Sequence, residues 1–307
     1  LKNGVVTDPE TEVQPAQKFP PFLRKGPRSK ELVMEDCLDH LTDRATQYIQ
    51  RAAQAEAPFL LYFPLTAPHK PVLPHSRYQG RTDLGPYGDF IVQVDDVVGR
   101  ISKALDDAAV SDDTVVIYTS DNGSFMFRRE GEDHVDDEKI QAYRPEHHTA
   151  NGPLRGTKAD IWEAGHRVPF FVRWPGSIEA GSTNDATICL VDILATAADI
   201  ADADVPDSAQ DSFSFAPLLG GESDHKRPPV IHHSVAGMFA IRDGDWKLVL
   251  GNGSGGRARP SGTPFQKPFA LFNLREDLSE SNDVIDAHPE VAAQLEAKCR
   301  AIIGSDL

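Results

Sequence analysis

Val115-Val116-Ile117-Tyr118-Thr119-Ser120-Asp121-Asn122-Gly123 is the stretch from which the fold of this chain is read. Five β-branched or aromatic residues form a strand-like run. The run ends on two oxygen-bearing side chains and a glycine. In open α/β sheets, ligands bind beyond the carboxyl ends of the strands. Asp and Asn oxygens are the hard donors that Ca²⁺ or Mg²⁺ prefers. The plain alternative is a turn, since Asp and Asn before Gly are ordinary turn chemistry.

Working outward, a second apolar run, Phe59-Leu60-Leu61-Tyr62-Phe63, reads as a strand covered on both faces. Between the two runs, Ile91, Val94, Val98, Ile101 and Leu105 share one face of a helix predicted over 87–108. Ahead of them, Met34, Cys37, Leu38, Leu41, Ala45, Tyr48, Ile49 and Ala52 keep helical spacing within 29–55. A strand is predicted at 168–174 and a helix at 190–201. This alternation argues for an α/β/α sandwich with a mostly parallel central sheet. The Pro-rich and polar residues 1–28 read as a loop or lid, and 124–149 as a long surface loop.

From about residue 227 the texture changes. Short strands are predicted at 230–235, 239–242, 246–250 and 269–274, with a tight hairpin signal at Asp243-Gly244 and a closing helix over 289–303. The expected organisation is an α/β domain over 1–226 and an α+β subdomain of antiparallel sheet plus helix over 227–307.

A chain of 307 residues, 40% hydrophobic and 25% charged, has the composition of a globular protein with a full core. The net charge of −16 argues against a nucleic-acid binder and against global steering toward anionic polymers. No apolar run reaches the roughly 20 residues of a membrane span, and no signal peptide is visible. Cys37, Cys189 and Cys299 form no metal-binding spacing, and Cys37 and Cys299 fall on apolar helix faces where buried free thiols are the default.

Three further motifs surround the opening stretch. They are Ala67-Pro68-His69-Lys70-Pro71, Asn151-Gly152-Pro153-Leu154-Arg155-Gly156-Thr157-Lys158, and Trp162-Glu163-Ala164-Gly165-His166-Arg167-Val168-Pro169-Phe170. With Val94-x-x-Val97-Val98-Gly99-Arg100-Ile101, Arg173-Trp174-Pro175-Gly176 and Gly244-Asp245-Trp246-Lys247-Leu248, they follow an order that resembles the type I sulfatases of the arylsulfatase family, in the alkaline-phosphatase-like superfamily. The resemblance runs along nearly the whole chain. It implies a sulfuric ester hydrolase in which Asp121 and Asn122 bind Ca²⁺, with Mg²⁺ as the second candidate. It implies that Lys158 contacts the sulfate group and that His69 stands near the leaving-group oxygen. His147 and His148, just before the 151–158 loop, are candidates for the pocket wall, and Arg155 for a substrate contact or an acid pair. Each has a plain alternative: a turn for Asp121-Asn122, an exposed loop cation for Lys158, a packing histidine for His69.

The resemblance also marks what these residues lack. The family's nucleophile is a Cys or Ser in a Cys/Ser-x-Pro/Ala-x-Arg motif, oxidised to formylglycine, and no such motif occurs among the 307 residues. The paired aspartates that open a sulfatase just after its first strand, and the Lys-x-His segment that follows the nucleophile, are absent too. The chain is therefore expected to be the C-terminal part of a sulfatase, inactive alone, with apolar sheet edges exposed. Ala164 stands where the family carries Gly, which is tolerable only where the backbone keeps φ below zero. The implied substrates are sulfated carbohydrates or small aryl sulfates, with a formylglycine-generating enzyme as partner and a periplasmic or secreted location. Competing readings are a phosphonate or phosphate ester hydrolase of the same superfamily and a non-catalytic binding module.

Overall fold

The computed structural model describes residues 5, 10–17, 23–124, 148–222 and 225–304. They fall into two compact units, one of Leu1–Thr114 with Arg128–Thr149, the other of Val115–Phe127 with Ala150–Leu307.

The first unit opens with a short antiparallel ribbon, β1 (Thr11–Gln14) against β2 (Gly26–Ser29), with Thr11 opposite Ser29. This corrects the loop reading of residues 1–28. Gly26-Pro27-Arg28-Ser29 has little strand propensity, and the pairing with β1 supplies what the local sequence does not. Helix α1 (Cys37–Ala52) buries Leu38, Thr42, Ala45 and Ile49. It packs on α2 (Gly85–Asp107). The buried stripe of α2 runs through Phe90, Val94, Val97, Ala104 and Leu105, while Ile91 is exposed, so the stripe is rotated from the predicted one. Asp39 joins the two helices' surroundings by accepting from Arg77 at 2.7 Å and Arg100 at 3.0 Å. Cys37 is only half-buried, which corrects its assignment to the core, whereas Cys299 is fully buried.

Phe59-Leu60-Leu61-Tyr62-Phe63 forms no ladder among the described residues. Leu60 is 74% exposed and Tyr62 83%, so the run is not covered on both faces as its sequence predicts. A strand needs hydrogen-bonding partners, and these five residues have none from the described part of the chain.

In the second unit, β3 (Val116–Thr119) pairs antiparallel with β4 (Phe170–Arg173), which follows the one-turn helix α3 (Glu163–His166). Every ladder among the described residues is antiparallel, and the parallel pairing expected from strand–helix–strand alternation is not among them. Tyr118 and Phe171 face each other across this pair with rings 6.2 Å apart, Phe171 being 65% exposed. Helices α4 (Asp192–Ile200) and α5 (Ala216–Leu219) follow. The buried Asp192 carboxylate takes a forked pair from Arg227, at 2.6 and 3.0 Å.

The remainder is a four-stranded antiparallel sheet in order β5-β6-β7-β8, made of Val230–His233, Phe239–Asp243, Trp246–Leu250 and Ala270–Asn273. Gly244, at φ +59°, makes the turn between β6 and β7, where the left-handed region calls for glycine. Side chains alternate across the sheet. One face carries Ile241, Leu248 and Leu271 against Leu295 and Cys299 of α6 (Pro289–Ile303). The other carries Ala240, Val249 and Phe272 against Ile161 and Trp162. That second face also bears Lys247, opposite Arg242 and Phe272, and it positions the site. No described helix is long and apolar enough to cross a membrane.

Candidate functional site

Strand β3 delivers the chain into Ser120-Asp121-Asn122-Gly123-Ser124, and two later segments hold that turn. Asn151 brackets Ser124: its Oδ1 accepts the Ser124 N–H and its Nδ2 donates to the Ser124 carbonyl, both at 2.9 Å. The same carbonyl accepts the Thr157 hydroxyl at 2.5 Å and the Lys158 backbone N–H at 3.2 Å. On the other side, Gly123 donates its N–H to the Gly165 carbonyl at 3.2 Å. A Cβ on Gly123 would lie 1.6 Å from the Ala164 oxygen, so only glycine fits there.

Lys158 rides on a turn that is itself locked. Asp160, fully buried, accepts the Thr157 N–H on Oδ2 at 2.9 Å and returns its own N–H to the Thr157 carbonyl at 3.0 Å. Its Oδ1 takes the N–H groups of Arg257 and Ala258, at 2.5 and 3.0 Å. Gly156 at φ +82° and Ala159 at φ +81° flank the lysine. A left-handed alanine is strained, and such strain persists only where the surroundings over-determine the backbone.

Among the described residues, these contacts leave polar atoms of three side chains without a protein partner. Among the described residues no protein group takes the Asp121 carboxylate or the Lys158 ammonium. Asn122 spends its Nδ2 on the Gly123 carbonyl at 3.2 Å, which leaves Oδ1 for another partner. Two hard oxygen donors on consecutive residues fit a Ca²⁺ or Mg²⁺ ion. They are part of a ligand set only: among the described residues there is no group of three His, Cys, Asp or Glu side chains that could hold a metal.

The other sequence-predicted residues fall elsewhere. Arg155 lies in the same unit, with its guanidinium 3.8 Å from the centre of the Trp162 ring and donating to the Glu280 carbonyl at 2.8 Å. His69 and His148 belong to the first unit. His69 is exposed and its Nδ1 donates to the Lys70 carbonyl at 2.7 Å. His148 lies with its ring 6.4 Å from that of Tyr87. His147 lies outside the described residues. The methyl of Ala164 is accommodated, because Ala164 is helical and has no positive φ; Gly165 is the position without room, a Cβ there meeting the Asp160 oxygen at 2.3 Å.

Behind this loop stands a buried ionic cluster that sequence reading did not single out. Lys247 is fully buried and donates to the Ile161 carbonyl at 2.9 Å and to Glu163 at 3.0 Å, and it pairs with Glu280 at 2.8 Å. Arg167 at 2.8 Å and Arg242 at 3.7 Å also face Glu163. Burial pushes the Glu163 carboxyl up, but Lys247 and Arg167 outweigh it and hold the pKa at about 2. Glu280 lacks the two arginines, and burial raises its carboxyl despite Lys247. Next to Lys247 the rings of His166 and His232 lie 4.2 Å apart, tilted by 53°. Burial, then Lys247, lowers His166 to about 4 and His232 well below its ordinary range. In sequence Lys247 looks like the solvent position of an alternating strand, and its partners lie 84 and 33 positions away along the chain.

Sequence comparison places this arrangement. The profile of the Sulfatase family matches residues 7–203. The chain belongs to the sulfatase family. A second profile, N-sulphoglucosamine sulphohydrolase, C-terminal, matches residues 157–303. The chain is 32% identical to an N-acetylgalactosamine-6-O-sulfatase of Bacteroides thetaiotaomicron, over 85% of this chain and 50% of that protein. It is 34% identical to human steryl-sulfatase over 70% of this chain and 36% of that one. A solved structure concerned with metabolism of multiple glycosaminoglycans by Bacteroides thetaiotaomicron superposes with TM-score 0.77 at 31% identity, covering 91% of this chain and 56% of the other. The sulfatase chain therefore spans half or less of the length of these curated relatives. Its fold is the alkaline-phosphatase-like α/β fold with a small C-terminal antiparallel sheet and helix.

Proposed function

We propose that residues 1–307 carry the metal- and sulfate-binding part of a sulfuric ester hydrolase acting on sulfated carbohydrates or small aryl sulfates. The observation that carries this reading is the convergence of two turns on the Ser124 carbonyl, one bearing Asp121 and Asn122, the other Lys158. Family membership supports the reaction class. The similarity to an N-acetylgalactosamine-6-O-sulfatase supports a carbohydrate sulfate ester.

In this reading Asp121 and Asn122 hold Ca²⁺, with Mg²⁺ the second candidate, through the carboxylate and the amide oxygen. A cation so held supplies Lewis-acid polarisation of a sulfate oxygen and a template for the reacting groups. Lys158 takes a second sulfate oxygen as a compact point charge. Its turn is locked in advance, so little reorganisation accompanies the build-up of negative charge. His69, whose Nδ1 donates to the Lys70 carbonyl, is the residue this reading assigns to protonate the departing alcohol. Arg155 acts through the loop it anchors on Trp162, and His148 remains the candidate for the pocket wall. The nucleophile of this scheme is formylglycine, installed by a formylglycine-generating enzyme in a periplasmic or secreted protein. These 307 residues hold no motif for it, so the chain alone is inactive toward sulfate esters.

The test is 4-nitrophenyl sulfate hydrolysis with Ca²⁺, comparing this chain with one extended upstream and co-expressed with a formylglycine-generating enzyme. Turnover in the extended form alone is expected. In that form Lys158→Ala is expected to lower kcat/KM by about 100-fold or more. Turnover confined to 4-nitrophenyl phosphate or phosphonate esters would move the assignment to phosphorus esters.

A further inference from the structure

We propose that Lys247 and Glu280 are positioning residues of the sulfatase site: a buried ionic clamp on the C-terminal sheet that fixes both turns of the site from behind. The proposal rests on the reading of Asp121, Asn122 and Lys158 given above.

Lys247 is fully buried in the middle of β7. Removing an ammonium from water costs several kcal/mol before its partners offset it, and an apolar residue of similar volume serves stability as well or better. On the same face it has Val249 on its own strand, Phe272 opposite on β8 and Arg242 opposite on β6. Its ammonium donates to the Ile161 carbonyl and to Glu163, and it pairs ionically with Glu280 at 2.8 Å. Two of these, Ile161 and Glu163, belong to the segment that follows Lys158.

Glu280 closes the other half of the clamp. It is fully buried and sits at φ +51°, a conformation that non-glycine residues seldom adopt. Its Oε2 accepts the Glu163 N–H at 2.6 Å, while its backbone carbonyl accepts Arg155 at 2.8 Å. Both ends of the span 155–163 are therefore tied to one residue, and the Lys158 turn lies between them. The next residues, Ala164 and Gly165, receive Gly123 by a backbone hydrogen bond and a close carbonyl approach. The Asp121-Asn122 turn thus leans on the same clamp as the Lys158 turn. A buried network in which charges of both signs are paired admits few alternative arrangements, which suits it to hold two loops in register.

The experiment measures amide hydrogen exchange by NMR in the 307-residue chain, and kinetics in the extended, formylglycine-bearing form. Lys247→Met combined with Glu280→Gln removes one charge of each sign. The amides of Gly123 and Lys158 are expected to lose protection by at least 10-fold while those of α6 keep theirs. Turnover of 4-nitrophenyl sulfate is expected to fall by at least 10-fold in kcat. Glu280→Gln alone keeps the Lys247–Glu163 pair and serves if the double variant does not fold; the same two amides are expected to be the first to lose protection. Unchanged protection at Gly123 and Lys158 in a folded variant would overturn the proposal. So would an even loss across the sheet and α6, which is the mark of a purely stabilising role. If Asp121→Ala and Lys158→Ala leave turnover unchanged, the site reading fails, and the proposal falls with its premise whatever the exchange data show.

Discussion

The two faces of the β5–β8 sheet are built from the same strands and do different work. The face toward α6 is made of Ile241, Leu248 and Leu271 packed on Leu295 and Cys299. The face toward residues 155–166 also has an apolar floor, yet it carries Lys247, Arg242 and His232 up to Glu163 and His166. The first face needs only volume and hydrophobicity, and many apolar sequences would satisfy it. The second needs particular donors opposite particular acceptors, because each buried polar atom left unmatched is costly. The lesson of the comparison is that one sheet can be generic on its stabilising side and specific on the side that supports a site.

The largest expected effect that sharpens this contrast comes from the generic face. Leu248→Ala should cost about 3 kcal/mol of stability, as transfer and cavity terms add at a fully buried leucine. Urea unfolding of the 307-residue chain reads this. The catalytic constants per folded molecule of the extended form should stay within about 2-fold, in contrast to the clamp variants. A 10-fold fall in kcat would erase the distinction between the faces.

The next effect belongs to the specific face and depends on pH. His166 titrates near 6.5 unfolded and about 4 folded. Its folded pKa is depressed, so the unfolded state takes the proton first and stability falls as pH falls from 6.5 toward 4. From pH 7.5 to 5 this amounts to about 2 kcal/mol. His232 acts in the same direction. Glu163, held at about 2, contributes below that window, losing stability as pH falls between 4.5 and 2. Glu280, with its carboxyl raised, works in the opposite sense. The contribution is therefore read as a difference: urea midpoints at the two pH values should diverge less in His166→Asn than in the parent. Equal divergence would remove His166 from the account.

The smallest effect probes the strained turn beside Lys158. Ala159→Gly should raise stability by up to about 1 kcal/mol, since glycine meets φ +81° without the Cβ penalty but loses more conformational freedom on folding. A lowered thermal midpoint would mean that the alanine methyl makes a packing contribution larger than its strain.

Much of the architecture was legible along the chain. The residue types of Trp246–Leu250 and the periodicity in Pro289–Ile303 yield the observed bounds, because strand propensity and helical spacing are local signals. Asp243-Gly244 marked the hairpin for the same reason. Phe59-Leu60-Leu61-Tyr62-Phe63 was read as a covered strand, yet its exposure alternates and it has no ladder among the described residues. The β1–β2 ribbon was not read at all. In both cases pairing, not propensity, decides the outcome, and a partner strand is invisible in the local sequence.

By itself the sequence determined the motifs of the site: an Asp-Asn pair at the end of β3, a lysine between Gly156 and Ala159, and the order of segments that places the chain among sulfatases. Residue type and spacing carry such information, because oxygen donors, ammonium groups and glycines have fixed chemistry wherever they stand. Only the tertiary structure decided that these turns meet on the Ser124 carbonyl, and that Lys247 faces inward to Glu163 and Glu280. The reason is physical. Which side of a strand is buried, and which of 47 acids meets one of 31 basic residues, depends on contacts between positions far apart in the chain.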